Sequence, residues 1–212
     1  MTDSYTINDQ ISDVISRMSS LSAARDTAIN ESRAIVRSSA NAIRALHRGE
    51  NADELLHEAR LLLDQVVTDT SPYPSVYWAG YTQDAMKEYA EAVITKALLA
   101  NSEIPSPEAV GVEDTAWLNG LAEAASELRR DTLDALRRDD TDRAEELLSA
   151  MDAIYGQLVT IDFPDSITGG LRRTTDQFRG VLERTRGDVT MSVRQTRLER
   201  ALRDAEASSR SE

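Results

Sequence analysis

Two short stretches carry glutamates at helical spacing. In YTQDAMKEYAEA, Tyr81 to Ala92, Glu88 and Glu91 stand three residues apart; in NGLAEAASELRR, Asn119 to Arg130, Glu123 and Glu127 stand four apart. Side chains at these separations share one face of a helix. If the two helices face each other, four carboxylates converge on a volume able to hold a divalent cation. An all-oxygen donor set suits the hard ions Mg²⁺ and Mn²⁺, and such ions are a common device for cutting phosphodiesters.

The helices that must position these groups show their own apolar sides. At about 100° per residue, Trp78, Thr82, Ala85, Tyr89 and Val93 form one stripe; Trp117, Leu121, Ala125, Leu128 and Leu136 form the other. All four glutamates fall away from these stripes. Periodicity alone therefore fits either glutamates on a solvated face or glutamates lining a second enclosure, such as the cavity of a hollow oligomer. Other chemistries find less support. Ferritin-like di-iron bundles need paired ExxH motifs, and the only histidines are His47 and His57, of which His57 alone follows a glutamate, Glu54, at that spacing. There is no cysteine, which removes thiolate zinc sites and cysteine nucleophiles. No serine has a histidine and a strand-turn setting suited to a triad.

Helix formers are abundant, Gly and Pro are scarce, and no stretch alternates long enough to read as a strand, so the expected fold is all-α: one domain over 1–212, a bundle of six to seven helices, several of them long. Ile7, Val14, Leu21, Ala28, Ile35 and Ala42 recur every seven residues, with Ile11 and Met18 between them, predicting a helix with a coiled-coil-like seam from about Thr6 to His47. Asn51 is placed to cap a second helix ending near Thr68. A third opens with Pro74 in its first turn and runs to about Asn101 carrying Glu88 and Glu91. A fourth spans about Glu113 to Arg138, a fifth starts at an Asp140 or Thr141 cap, and the last runs from about Gly170 to Ala205. The end, about 206–212, is expected to be a disordered tail.

The net charge is −13, and all but two of the 24 basic residues are arginine, the lysines being Lys87 and Lys96. A surface rich in carboxylates and nearly free of lysine fits adaptation to high salt, which screens self-repulsion. The start lacks the basic and apolar regions of a usual signal peptide and no apolar run is long enough to span a membrane, so a cytoplasmic protein is expected. From Ser166 onward, ten arginines face seven acidic residues. Arg172, Arg179 and Arg186, spaced by seven, lie near one face of the last helix, with Arg173, Arg184, Arg194 and Arg197 around them. Arginine forks bind phosphate oxygens, and Tyr73, Tyr77, Trp78 and Tyr81 could stack bases; a solvated basic face and packing at a helix start are the alternatives.

Taken together, ESRAIVRSSANAIRALHRGE, YTQDAMKEYAEA, NGLAEAASELRRDTLDALRRDD and LERTRGDVT resemble the translin superfamily over about residues 10 to 200, and the likeness is to the Trax-like, archaeal type. The resemblance implies an all-α subunit of a hollow homo-oligomer, an octamer, that binds single-stranded RNA and possibly single-stranded DNA, with a Mg²⁺ (or Mn²⁺) endoribonuclease site facing the interior. It implies catalytic and metal-binding roles for Glu88 and Glu91, matching the EYxEA segment, and for Glu123 and Glu127, matching an acidic residue four before the glutamate of a GEL-type segment. At Glu123 the nuclease subunits of the family carry Asp. Glu31, which opens ESRA, is a further candidate ligand, and Arg172, Arg173, Arg179, Arg186, Tyr73 and Tyr77 are the candidate nucleic-acid contacts. The competing classes are a non-catalytic binder of single strands and a structural scaffold.

Overall fold

The structure, a computed structural model, describes residues 4–209 and holds no strand among them. Among the described residues six long helices and three short ones follow in order: α1 (Ser4–His47), α2 (Asp53–Thr70), α3 (Pro74–Tyr77), α4 (Gly80–Leu99), α5 (Pro107–Val110), α6 (Asp114–Leu136), α7 (Thr141–Leu158), α8 (Asp165–Thr168) and α9 (Leu171–Ser209). None of them is both long and apolar enough to cross a membrane. The expected tail is helical through Ser209, and its remainder, 210–212, lies outside the described residues.

Local chemistry sets the boundaries. Asn51 acts one residue ahead of the cap position, its Oδ1 accepting from the Asp53 N–H at 2.6 Å. Asp140 caps α7 by accepting from the Arg143 N–H at 3.0 Å, which satisfies an otherwise orphaned donor. The expected third helix is two. The backbone turns extended at Ala79, between Pro74–Tyr77 and Gly80–Leu99. Thr82 Oγ1 then donates to the Val76 carbonyl at 2.9 Å and Gln83 Nε2 to the Tyr77 carbonyl at 3.0 Å. Side chains replace the missing helical bonds, so the break leaves no carbonyl stranded.

α1 packs on α2 and α4, α4 on α6, and α6 on both α7 and α9, which also touch each other. One apolar cluster runs through all of these, from Ile35 and Leu63 through Met86, Ile94 and Leu128 to Phe178 and Leu182. The seam of α1 splits. Its later members Ala28, Ile35 and Ala42 are buried, whereas Ile7, Ile11, Val14, Ile15 and Met18 are exposed.

The centre of the packing is the α4–α6 crossing. α4 is enclosed by α1, α2 and α6, so it buries residues nearly all round, Glu91 among them. Backbone meets backbone at Gly120: a Cβ there would stand 2.9 Å from the Lys87 carbonyl oxygen and 3.0 Å from the Glu91 nitrogen. A methyl group has no room unless the helices part. Gly120→Ala should therefore lower stability by about 1–3 kcal/mol, the usual cost of overpacking. Gly156→Ala, in an exposed turn of α7 with nothing within 4 Å, should raise it by up to about 1 kcal/mol through helix propensity. Urea unfolding of the two variants checks the contrast.

Candidate functional site

Glu88 and Glu91 from α4 and Glu123 from α6 each offer one carboxylate oxygen to a group whose members lie within 4.8 Å of one another. The apolar stripes place these side chains away from the main core, but Glu91 is buried, only 8% exposed. α4 has partners on three sides, so the face opposite its main apolar stripe is covered by α6. Glu88 and Glu123 are half-buried.

Crowding of like charges under partial burial shows in the proton affinities. Burial first, then the charges of Glu123, Glu88 and Glu127, push Glu91 up to about 8. Burial also raises Glu88, against the pull of Lys87. Lys87, the one cation in the group, places Nζ 2.7 Å from Glu123 Oε2, 3.1 Å from Glu88 Oε1 and 3.4 Å from Asp84 Oδ1. Burial works against its charge, but the hydrogen bonds and charges of Glu123 and Glu88 hold its proton affinity above that of ordinary lysine.

Glu127, the fourth glutamate, is engaged elsewhere. His47, in the last turn of α1, sets Nε2 2.6 Å from Glu127 Oε2 and Nδ1 2.7 Å from Asp131 Oδ2. With a carboxylate at each ring nitrogen, both nitrogens donate and the ring is an imidazolium. The hydrogen bonds to Asp131 and then Glu127 raise His47 to about 9, outweighing burial. Neither His47 nor Asp131 nor Lys87 was singled out from the sequence as part of a site. One signal was present: Glu123, Glu127 and Asp131 continue a single i, i+4 row on α6. His47 lies 80 residues from Glu127, beyond any local spacing. Glu31 is not in the carboxylate group; it is half-buried, raised by burial and then by the charge of Asp69 near the end of α2.

The donor set fits a hard divalent cation. Three carboxylates from two rigid helices converge, all donors are oxygen, and the repulsion among them is what a cation would relieve. Glu88 and Glu123 keep part of their surface open to solvent, with Lys87 Nζ lying between them.

The candidate nucleic-acid residues do not form one surface. Arg186 is ion-paired with Asp152 on α7 and lies near Glu183, and Tyr77 donates its hydroxyl to Glu113. Tyr73 lines a depression with Arg17 and Leu21 of α1. Arg172 lines another with Asp162, Phe163 and Asp176. Arg173 lines a groove of about 650 Å³ that Lys87 and Glu123 also line. Arg179 is exposed.

Stability should fall as pH rises across this site. Glu91 and His47 both have folded pKa values above their unfolded ones, so the folded state holds the extra protons and loses that advantage on the alkaline side. For Glu91 the loss runs from its ordinary 4.5 to about 8; for His47 it runs from 6.5 to about 9. Without metal, the melting temperature should drop between pH 6.5 and 9. Glu91→Gln should flatten the lower part of that fall and make the protein more stable than the parent at pH 9. His47→Gln should flatten the upper part while destabilising the protein at neutral pH, since Glu127 and Asp131 lose their partner.

No known family's sequence profile matches the chain. An uncharacterised protein of Methanocaldococcus jannaschii is 26% identical over 196 residues, covering 92% of this chain and 88% of its own length. The chain is similar to the structure of AfC3PO in complex with duplex RNA, with a TM-score of 0.80 and 33% identity over 89% of this chain and 98% of that one. A second AfC3PO structure gives the same TM-score and identity over 99% of its chain. Apo-NeC3PO, at 20% identity, shares the fold, with a TM-score of 0.77 over 86% of this chain and 96% of its own. Identity of one residue in three across essentially the whole of AfC3PO places the chain in that group: it belongs to the C3PO family of translin-type all-helical proteins.

Proposed function

We propose that this chain is a Trax-like RNA-binding subunit that cuts single-stranded RNA with Mg²⁺ or Mn²⁺ inside a hollow homo-oligomer, an octamer, and that it also binds single-stranded DNA. The observation that carries the reading is the convergence of Glu88, Glu91 and Glu123 within 4.8 Å across the α4–α6 crossing. That AfC3PO has been solved with duplex RNA supports RNA as the ligand class.

Glu88, Glu91 and Glu123 would hold the cation, which supplies Lewis-acid stabilisation of the charge that develops on the phosphate. The residues of the chain do the rest. Glu127, held by His47, stands outside that group and adds negative charge near Glu91. One of the carboxylates takes the proton of the attacking water. Lys87, beside Glu88 and Glu123, would keep a positive charge near the phosphate. Glu31 lies outside this arrangement.

A second reading, a non-catalytic binder, draws on Lys87. An ammonium already bridges Glu88 and Glu123 at 3.1 and 2.7 Å, so the carboxylates have a neutralising partner without metal. Labelled single-stranded RNA incubated at high KCl with Mg²⁺, Mn²⁺ or EDTA separates the two. Cleavage is expected with either ion and not with EDTA. Glu88→Gln with Glu91→Gln should abolish it, keep RNA binding, and remove the rise in melting temperature caused by millimolar metal. Glu123→Asp should retain or improve cleavage. A parent that binds RNA, never cuts it and melts identically with and without metal is a binder only.

The oligomer has its own support. Ile7, Ile11, Val14, Ile15 and Met18 are each 42–64% exposed along the outer half of α1, an apolar seam that no other part of the described chain covers. Light scattering in molar salt should give several times the 23.4 kDa chain mass, and Ile11→Glu with Ile15→Glu should lower it. A parent of 23.4 kDa would overturn the assembly and the enclosed site together.

A further inference from the structure

Beside the carboxylate group lies a groove that catalysis on a phosphodiester does not by itself require. It runs between the α3–α4 corner, the start of α6, and the α8–α9 junction, encloses about 650 Å³, and shares Lys87 and Glu123 with the cluster. That volume is within the range of about 300–1,000 Å³ usual for small-molecule sites. Its walls are fixed. Thr115 Oγ1 donates to the Ile167 carbonyl at 2.9 Å, Asn119 Nδ2 donates to the Thr168 carbonyl at 2.9 Å, and Thr174 Oγ1 donates to Asn119 Oδ1 at 2.8 Å. At the floor, Gly169 has φ +60 and a Cβ there would stand 2.7 Å from Thr115 Cγ2, so the α8–α9 turn rests directly on the Thr115 side chain of α6.

Two side chains at the rim stand out. Trp78 is 58% exposed, an unusual place to leave the largest aromatic. It is not loose: its ring packs edge-on against Tyr77 at 5.0 Å and 81°, and Tyr77 is tied by its hydroxyl to Glu113. The indole is thus held at a set angle with much of its surface open to solvent. Across the groove, Arg173 makes no side-chain hydrogen bond or ion pair among the described residues, while Arg129 and Arg186 on the same flank of the fold are paired with Asp188 and Asp152. An open aromatic face with an unpaired guanidinium matches the two parts of a nucleotide, base and phosphate. Gln83 and Gln177 line the space between, with amides suited to a base edge.

We propose that this groove takes one unstacked nucleotide of a bound RNA strand, its base on Trp78 and its phosphate on Arg173, and so feeds the neighbouring phosphodiester to the carboxylates. The inference rests on the RNA reading above and narrows it. A base inside a duplex is stacked on both sides and cannot reach the indole, so the strand must be unpaired beside the bond that is cut.

The test is binding in EDTA of a short unstructured oligoribonucleotide, read in parallel by its own fluorescence anisotropy and by tryptophan emission. Trp117, the other tryptophan, is half-buried with its indole N–H donated to the Pro105 carbonyl, so it gives a constant background. Binding should quench Trp78. Trp78→Phe should abolish the quench and keep most of the affinity, Trp78→Ala should weaken binding about tenfold or more, and Arg173→Gln should weaken it and reduce the salt slope by about 0.7. A blunt duplex of the same sequence should bind without the quench. If anisotropy reports binding but the quench is absent, or Trp78→Ala binds like the parent, the groove is not the subsite and the RNA reading stands. If neither strand nor duplex binds, both fall.

Discussion

Where α6 crosses α4, no side chain separates the two backbones, and a Cβ at Gly120 would press on the Lys87 carbonyl. That approach fixes how near the carboxylates of Glu88, Glu91 and Glu123 must be. Two like charges 4.8 Å apart repel by roughly 3.5 kcal/mol at an effective dielectric of about 20. The helices cannot retreat without opening the core around Met86, Ile94 and Leu128, so the charge itself gives way. Glu91, the most buried, stays protonated to about pH 8, and cations gather on both sides.

Those cations are of two kinds. Lys87 belongs to α4 and sits within the acidic group. His47 comes from the last turn of α1, where the helix dipole favours a positive charge, and it reaches Glu127 and Asp131 on α6. Because it holds two carboxylates four residues apart, it fixes the register of α1 against α6 as well as the charge. Arginines do similar work on the far side. Arg129 joins α6 to Thr185 and Asp188 of α9, and Arg186 joins α9 to Asp152 of α7. One arginine of α9, Arg186, is therefore committed to a tie with another helix, whereas Arg172, Arg173 and Arg179 in its early turns and Arg184, Arg194, Arg197 and Arg200 further along make no side-chain hydrogen bond or ion pair among the described residues.

The helices were legible because their apolar periods are long and their caps local. The α1 seam, the Asp140 cap and the pairing of Glu88 with Glu91 all appear as spacings within one helix. The all-helical fold and the translin-type family read from motif resemblance agree with the similarity to AfC3PO. What escaped the sequence was long-range. That Glu91 is buried depends on α4 being wrapped by three helices, which no single-helix stripe reveals. His47 meets Glu127 only through the α1–α6 arrangement, and Arg186 looked like part of a free basic stripe because Asp152 lies on another helix. The break at Ala79 was hidden for the opposite reason: the residues that stabilise it, Thr82 and Gln83, are unremarkable helix residues whose side chains turn back to Val76 and Tyr77.

The near-absence of lysine gives the site an unusual covalent handle. Side-chain amine chemistry is confined to Lys96, exposed and paired with Asp53, and Lys87, half-buried among carboxylates that keep it protonated. A protonated amine is a poor nucleophile, so acylating reagents should label Lys96 readily and Lys87 slowly. Any ligand that takes over Glu88 and Glu123 frees the Lys87 amine and lowers its proton affinity, which makes its acylation rate a direct gauge of occupancy. Conversely, an acyl group on Lys87 would erase the one positive charge inside the acidic cluster, so a single modification at one of two lysines would reset the electrostatics of the whole crossing.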